Sequence, residues 1–258
     1  MITPDDIAKQ LIAAERERVP IAPFTDTNPE LDIATAYLAQ RAFVQGKVDA
    51  GEQVIGAKLG LTSKVKQQAM NVDAPLSGVV TSGMVAPFGA PIELSELIHP
   101  RVEPEIAFVL ARDVAAPATV SSVLAATESV YGAIDVLDSR YEDFRFALPD
   151  VIADNASAAR FLVGPRSVTP GALEDLRLLG CVLREKGGVA ATAAGAAVMG
   201  HPAASVAWLA NQLAERGEVL KAGWTVFSGG LTAPIPLSAG SSVTAEFDGL
   251  GTVEVFTR

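Results

Sequence analysis

The sequence predicts an α+β fold with a twisted, mostly β core. Three observations carry that prediction: many short β-prone segments, a few helical stretches between them, and no regular strand–helix alternation of the kind a Rossmann fold or TIM barrel needs. At 258 residues and 49% hydrophobic content, the chain suffices for one large domain, or one domain with a helical appendage. Only 6% of residues are aromatic and alanine is abundant, so aliphatic side chains and close helix contacts must build the core.

The elements follow in order. Thr3 is placed to cap a helix, with Pro4 at its first turn and Asp5 and Asp6 favouring its positive end. Ile7, Leu11 and Ile12 form the apolar stripe, and Pro20, Pro23 and Pro29 punctuate the loop beyond. A second helix is predicted from about Ile33, with Tyr37, Phe43, Val44 and Val48 apolar and Gly51 after it. Residues 54–61 read as a glycine-broken strand, after which Thr62-Ser63 caps a short helix reaching Met70. Residues 75–91 read as loop and strand, 101–110 as a strand, 121–130 as a helix, 132–137 as a second buried strand, and 138–157 as polar and turn-rich. Further strands are predicted over 177–184, 225–228, 242–247 and 252–256, with a tight turn at Gly187-Gly188. Residues 202–216 form a helix with Val206, Leu209 and Leu213 inward, closed by Gly217. No repeat or linker divides the chain.

The net charge of −10 argues against a standing partnership with nucleic acid or an anionic membrane surface, although local cations still permit an anionic small substrate. Cys181 is the single cysteine and sits in an apolar run, so it reads as a buried strand thiol. There is no signal-peptide pattern and no apolar window long enough to span a bilayer, so a soluble, cytoplasmic protein is expected.

Chemistry concentrates on a few acids. In the strand Arg101-Val102-Glu103-Pro104-Glu105-Ile106, alternation puts Glu103 and Glu105 on one face. Two such carboxylates either point into water or share a hard divalent cation of the Mg²⁺ or Mn²⁺ type. Asp135, inside the apolar run Ala133-Ile134-Asp135-Val136-Leu137, is the candidate third acid; the alternative is an edge strand with Asp135 in solvent. Lys58 sits among glycines on an apolar strand, suited to a substrate carboxylate, an enolate or proton donation, or else exposed. His99 and His201 each precede a proline and read as structural. No serine sits in a nucleophile-elbow sequence. The nearest thing to a phosphate loop, Ser228-Gly229-Gly230, runs into Pro234 and Pro236 instead of opening a helix.

The ordered motifs Gly56-Ala57-Lys58-Leu59-Gly60-Leu61-Thr62-Ser63, Glu103-Pro104-Glu105, Asp138-Ser139-Arg140-Tyr141 and Ala153-Asp154-Asn155-Ala156-Ser157 resemble the 4-oxalocrotonate decarboxylase and 2-hydroxypentadienoate hydratase group of the fumarylacetoacetate hydrolase superfamily. The similarity runs along essentially the whole chain. It implies a mixed β-roll core of the fumarylacetoacetate hydrolase C-terminal type with a small N-terminal helical layer. The expected division is an N-terminal helical or α+β layer over 1–75 and a β-roll catalytic domain over 76–258, together one continuous catalytic unit. The resemblance implies Mg²⁺ or Mn²⁺ on Glu103, Glu105 and Asp135, where Asp135 departs from the family's more usual Glu. It further implies an active-site lysine at Lys58, a substrate-contacting serine at Ser157, and substrate contacts from Thr62 and Ser63. Arg160 is the candidate partner of a substrate carboxylate.

The branch of the group turns on position 76. Hydratases resemble Pro-Asp-Phe-Gly where this chain reads Pro75-Leu76-Ser77-Gly78, and an aliphatic residue cannot carry a proton for water addition. Decarboxylases of the group are similar in having an aliphatic residue there. Segments 138–146, 155–161 and 200–207 also look closer to decarboxylases. The resemblance therefore implies a metal-dependent carbon–carbon lyase of aromatic meta-cleavage catabolism, acting on the small dicarboxylate 2-oxohex-3-enedioate. The alternatives are the hydratase and a non-catalytic partner subunit. A homo-oligomer and a complex with a homologous hydratase are expected.

Overall fold

The structure, a computed structural model, describes residues 2–69, 72 and 74–258. Helix α1 (Pro4–Glu17) starts where the sequence places it, with the Thr3 hydroxyl accepting from the Asp6 N–H at 3.2 Å. Helix α2 (Ile33–Asp49) is capped by Asp32, which accepts from the Thr35 N–H. The chain continues through β1 (Val54–Gly60), α3 (Lys64–Ala69), β2 (Leu76–Thr81), β3 (Arg101–Leu110), α4 (Val120–Ala126), β4 (Thr127–Leu137), α5 (Leu148–Ala153) and β5 (Ala158–Val168). It ends with β6 (Gly180–Glu185), β7 (Gly188–Ala194), α6 (Pro202–Ala214), β8 (Thr225–Phe227), β9 (Ile235–Pro236), β10 (Ser242–Phe247) and β11 (Gly251–Phe256). Ser63 caps α3 as expected, accepting from the Lys66 N–H, while the expected helix end at Met70 lies outside the described residues.

Two sheets organise these elements. The larger runs β2-β1-β8-β3-β4-β5, with β9 pairing the start of β3; the smaller runs β11-β10-β6-β7. All neighbours in the larger sheet are antiparallel except β1 and β8. The chain just beyond β2 returns to the far edge, where Val85 bridges Phe161 of β5 and the Ala86 N–H donates to the Phe161 carbonyl at 2.9 Å. The larger sheet therefore curls into a roll. One face packs on the smaller sheet, α4 and α6 through Ile106, Phe108, Ile134, Val136, Leu183 and Val243. The inner face carries Val80, Met84, Ala107, Ala133, Phe161 and Phe227. A separate apolar cluster joins α1 and α2 to α5 and includes Phe43, Leu76, Tyr141 and Ile152.

The expected α+β class and β-roll are present, with differences of local origin. The boundary expected at 75/76 falls inside the antiparallel β1–β2 pair, so β1 belongs to the roll and the helical layer ends with α2. The helix expected over 121–130 stops at Ala126, because pairing of β4 with β3 draws Thr127–Val130 into a strand. The strand expected over 177–184 begins at Gly180, and α5 forms inside the segment read as turn. Strands β5 and β7 and the two-residue β9 were not anticipated. Among the described residues no helix is long and apolar enough to cross a membrane.

Candidate active site

Strand register assembles the acids. Glu103 of β3 lies directly opposite Asp135 of the adjacent strand β4, and Glu105 lies two residues on, opposite Ala133. Residues opposite one another share a face, so all three carboxylates point into the roll. Asp135 is thus on a central strand and buried; the solvated-edge alternative does not hold. The ligand atoms these residues offer lie within 4.8 Å of one another, and the residues are 5%, 0% and 3% exposed. Lys58 reaches them from β1, where its partner is Phe227 of β8, itself opposite Ala107 of β3. Its ammonium is ion-paired with Asp135 and donates to the Ala156 carbonyl at 3.1 Å.

The charges do not balance. Lys58 and, from α3, Lys66, whose Nζ is 2.6 Å from Glu103 Oε2, face three carboxylates. Glu105 accepts from the Gly229 N–H at 2.7 Å through Oε2, but its Oε1 is buried without a partner. Asp135 Oδ2 faces the Lys58 ammonium yet lacks an aligned hydrogen bond. Burial, then the charges of Asp135 and Glu103, push Glu105 well above the usual carboxylate range. Burial raises Asp135 as well, against the pull of Lys58. An oxygen-only donor set, an unpartnered carboxylate oxygen and surplus negative charge fit a hard divalent cation such as Mg²⁺ or Mn²⁺, held by Glu103, Glu105 and Asp135.

A second buried network stands behind Lys58. Arg140 donates to the Asp154 carboxylate and to the carbonyls of Asp138 and Ala158, and Asp154 also accepts from Ser157. Burial lifts Asp154 to about 6, against Arg140. The next three residues, Asn155, Ala156 and Ser157, have φ of 52°, 56° and 54°, a left-handed run without glycine that costs about 1 kcal/mol or more per residue. The Asn155 amide holds this turn to β2, exchanging bonds of 2.7 and 2.8 Å with the Val79 N–H and carbonyl. Gly78 is required beneath it, since a Cβ there would lie 2.8 Å from the Asn155 carbonyl oxygen. The strained turn thereby delivers the Ala156 carbonyl to Lys58.

The remaining sequence-predicted residues divide. Thr62 is 1% exposed, with its hydroxyl buried and unpartnered, and Ser63 lines a cleft of ≈ 730 Å³ beside Lys66, Trp208 and Thr232. Leu76 lies opposite Gly60, on the Lys58-bearing face of β1–β2, and is 1% exposed. The Ser157 hydroxyl donates to Asp154 at 3.1 Å from within the left-handed turn. Arg160 lies opposite Val136, one residue out of phase with Asp135, and so projects from the other face, where it pairs with Glu96. It does not join the acids. His99 and His201 are structural as read: one bonds the Ser139 carbonyl, the other caps α6. Sequence reasoning missed Lys66, Gly229 and Gly230. A Cβ at Gly230 would lie 2.1 Å from Glu103 Oε2, so the Gly229-Gly230 pair was the available signal, misfiled as a weak phosphate loop.

A curled mixed sheet holding three inward acids defines a class. Residues 53–256 match the family described as fumarylacetoacetate (FAA) hydrolase C-terminal, and the chain belongs to that family. It is 42% identical over 248 residues to a 4-oxalocrotonate decarboxylase of Pseudomonas sp. (strain CF600), covering 96% of this chain and 94% of that protein. It is 38% identical to a 2-hydroxyhexa-2,4-dienoate hydratase of Comamonas testosteroni, with the same coverage. The solved 4-oxalocrotonate decarboxylase from Pseudomonas putida G7, complexed with magnesium and adipate, superposes with a TM-score of 0.96 at 38% identity, covering 100% of this chain and 99% of that one.

Proposed function

We propose that this protein is a divalent-metal-dependent lyase that converts 2-oxohex-3-enedioate to 2-hydroxypenta-2,4-dienoate and CO₂, a step of aromatic meta-cleavage catabolism. The substrate is a vinylogous β-keto acid: the electron pair of the bond to the distal carboxylate moves through the C=C toward the C2 ketone. A divalent ion held by Glu103, Glu105 and Asp135 supplies the electron-withdrawing charge at that ketone. Lys58, held between Asp135 and the Ala156 carbonyl, would stabilise the developing enolate and hold a proton at the C2 oxygen. The buried setting keeps bulk water from the dienolate.

Leu76 carries the choice of decarboxylation over hydration. Its aliphatic side chain stands on the Lys58 face, at the position where the hydratases of the group resemble one another in having a carboxyl group. Without that group there is no proton carrier there for water addition, and an apolar wall favours release of an uncharged product. The matched decarboxylase and hydratase relatives keep both reactions in view, and the discriminating experiment is direct. Purified protein with Mg²⁺ is given 2-oxohex-3-enedioate and, separately, 2-hydroxypenta-2,4-dienoate. CO₂ release from the first with the second unchanged supports the reading; hydration of the second alone refutes it. The product is itself a hydratase substrate, so association with a homologous hydratase is part of the proposal, read by co-elution of the two proteins.

A further inference from the structure

We propose that Lys66 is a displaceable counter-ion: it neutralises Glu103 until a divalent ion takes over that carboxylate, then turns to a substrate carboxylate in the adjoining cleft. This rests on the metal site of the proposed function and goes beyond it, because Lys66 belongs to none of the motifs that carry the resemblance.

The two lysines at the acid cluster are held differently. The Lys58 side chain is 3% exposed, rooted in a central strand and bracketed by Asp135 and the Ala156 carbonyl. The Lys66 side chain is 21% exposed and comes from the six-residue helix α3. Its Nζ bonds Glu103 Oε2 at 2.6 Å and the Gly230 carbonyl at 3.3 Å, and the same residue lines the ≈ 730 Å³ cleft. A compact ammonium on a four-carbon stem swings more easily than a planar guanidinium. It stands against a carboxylate that a dication also claims, and two cations on one carboxylate oxygen repel. The arriving ion therefore weakens the hold of Glu103 on Lys66. The ammonium then needs a new anion, and the open side offers one only if a ligand brings it.

The cleft also needs such a cation. The chain carries a net charge of −10, and a dicarboxylate entering it meets an unfavourable field. Arg160, the cation expected to meet a substrate carboxylate, projects from the other face of the sheet and pairs with Glu96. Lys64, also on the cleft, has its ammonium on Gln67. Among the described residues, Lys66 is a cation that both touches the acid cluster and belongs to a residue lining the cleft.

The proposal makes two predictions of opposite sign for Lys66→Met, which removes the charge and keeps most of the stem. Calorimetric titration of MgCl₂ should show binding about fivefold tighter than wild type, because no ammonium has to be displaced. Titration of adipate, an unreactive dicarboxylate, into the Mg²⁺-loaded protein should show binding about fivefold weaker; each change is the scale of one partly exposed charge contact. Lys66→Arg, which keeps the charge, should restore adipate binding toward wild type. Thermal unfolding of each variant checks folding, and Lys66→Gln replaces Lys66→Met if the latter does not fold. Unchanged or weaker Mg²⁺ binding by Lys66→Met, or unchanged adipate binding, overturns the proposal while leaving the metal site standing. Wild-type protein that takes up no Mg²⁺ overturns the metal site and the proposal together.

Discussion

Replacing Glu105 by glutamine should stabilise the protein without metal and remove its response to metal. Glutamine keeps the shape of the side chain and an oxygen to accept from the Gly229 N–H, while it removes the charge and puts an amide donor where Oε1 was unpartnered. The three acids offer ligand atoms within 4.8 Å of one another. At 4.8 Å, the widest of these separations, and an effective dielectric of about 20, a carboxylate pair repels by about 3.5 kcal/mol before Lys58 and Lys66 offset part of it. A net gain of about 1–3 kcal/mol is expected for Glu105→Gln in EDTA, a rise in Tm of about 2–8 °C for a chain of this size. The sign also follows from linkage. Glu105 is raised well above its ordinary value, so the folded protein holds a proton that the unfolded chain has released, and metal-free stability falls as pH rises beyond the ordinary carboxylate range. Glutamine removes that slope. With Mg²⁺ at a hundred times its Kd, wild type should gain about 2.7 kcal/mol and the variant almost none. Calorimetric melting in EDTA and in MgCl₂ at pH 8 reads both effects. A variant that melts below wild type in EDTA, or rises equally with Mg²⁺, refutes the reasoning.

Two further predictions are independent of this one. Gly230→Ala places a methyl 2.1 Å from Glu103 Oε2, so the carboxylate must move; Mg²⁺ affinity by titration calorimetry should fall about tenfold or more while the circular dichroism spectrum is kept, and unchanged affinity would show that Glu103 is not a ligand. Burial pushes the Cys181 thiol up to about 12, so the folded chain keeps a proton that the unfolded chain loses from about pH 8.5; stability should fall from about pH 8.5 toward 12, and Cys181→Ala should flatten that part of a chemical-denaturation series.

The parts of the site legible in the sequence are those written in strand parity. Glu103 and Glu105 are two apart on an apolar strand, Asp135 sits at the centre of another, and Lys58 lies among small residues; each fact points to a face. The register that puts Glu103 opposite Asp135 is a long-range fact: inward placement of the two strands gives the shared face, and only the pairing itself gives the register. Arg160 shows where parity fails. Its neighbourhood in the chain resembles a site motif, but the β4–β5 pairing shifts between Val136 and Leu137, and only the actual register reveals that it leaves on the wrong face. Strand β5 was hidden by Ala158-Ala159 at its start and Gly164-Pro165 within it. Strand β7 was hidden because it is mostly alanine and largely exposed, and its state is fixed by pairing with β6. Lys66 was invisible for a different reason: nothing local marks which lysine of a short helix folds back across sequence to an acid 37 residues away.

The helices α1 and α2 limit how far this chain can be trimmed. The family match begins at residue 53, which suggests a fragment beginning there. Yet Gln40 of α2 donates to the carbonyls of Ser77 and Ile152 at 2.8 and 2.9 Å, and the Phe43 ring lies 5.2 Å from the Arg140 guanidinium. Leu76, Tyr141 and Ala156 share one apolar cluster with Phe43 and Leu11. A fragment cut at the family boundary would open to solvent the reverse side of the turn that presents the Ala156 carbonyl to Lys58. The shared domain is in this protein the front half of a mould, and its back half is cast by the residues that come before it.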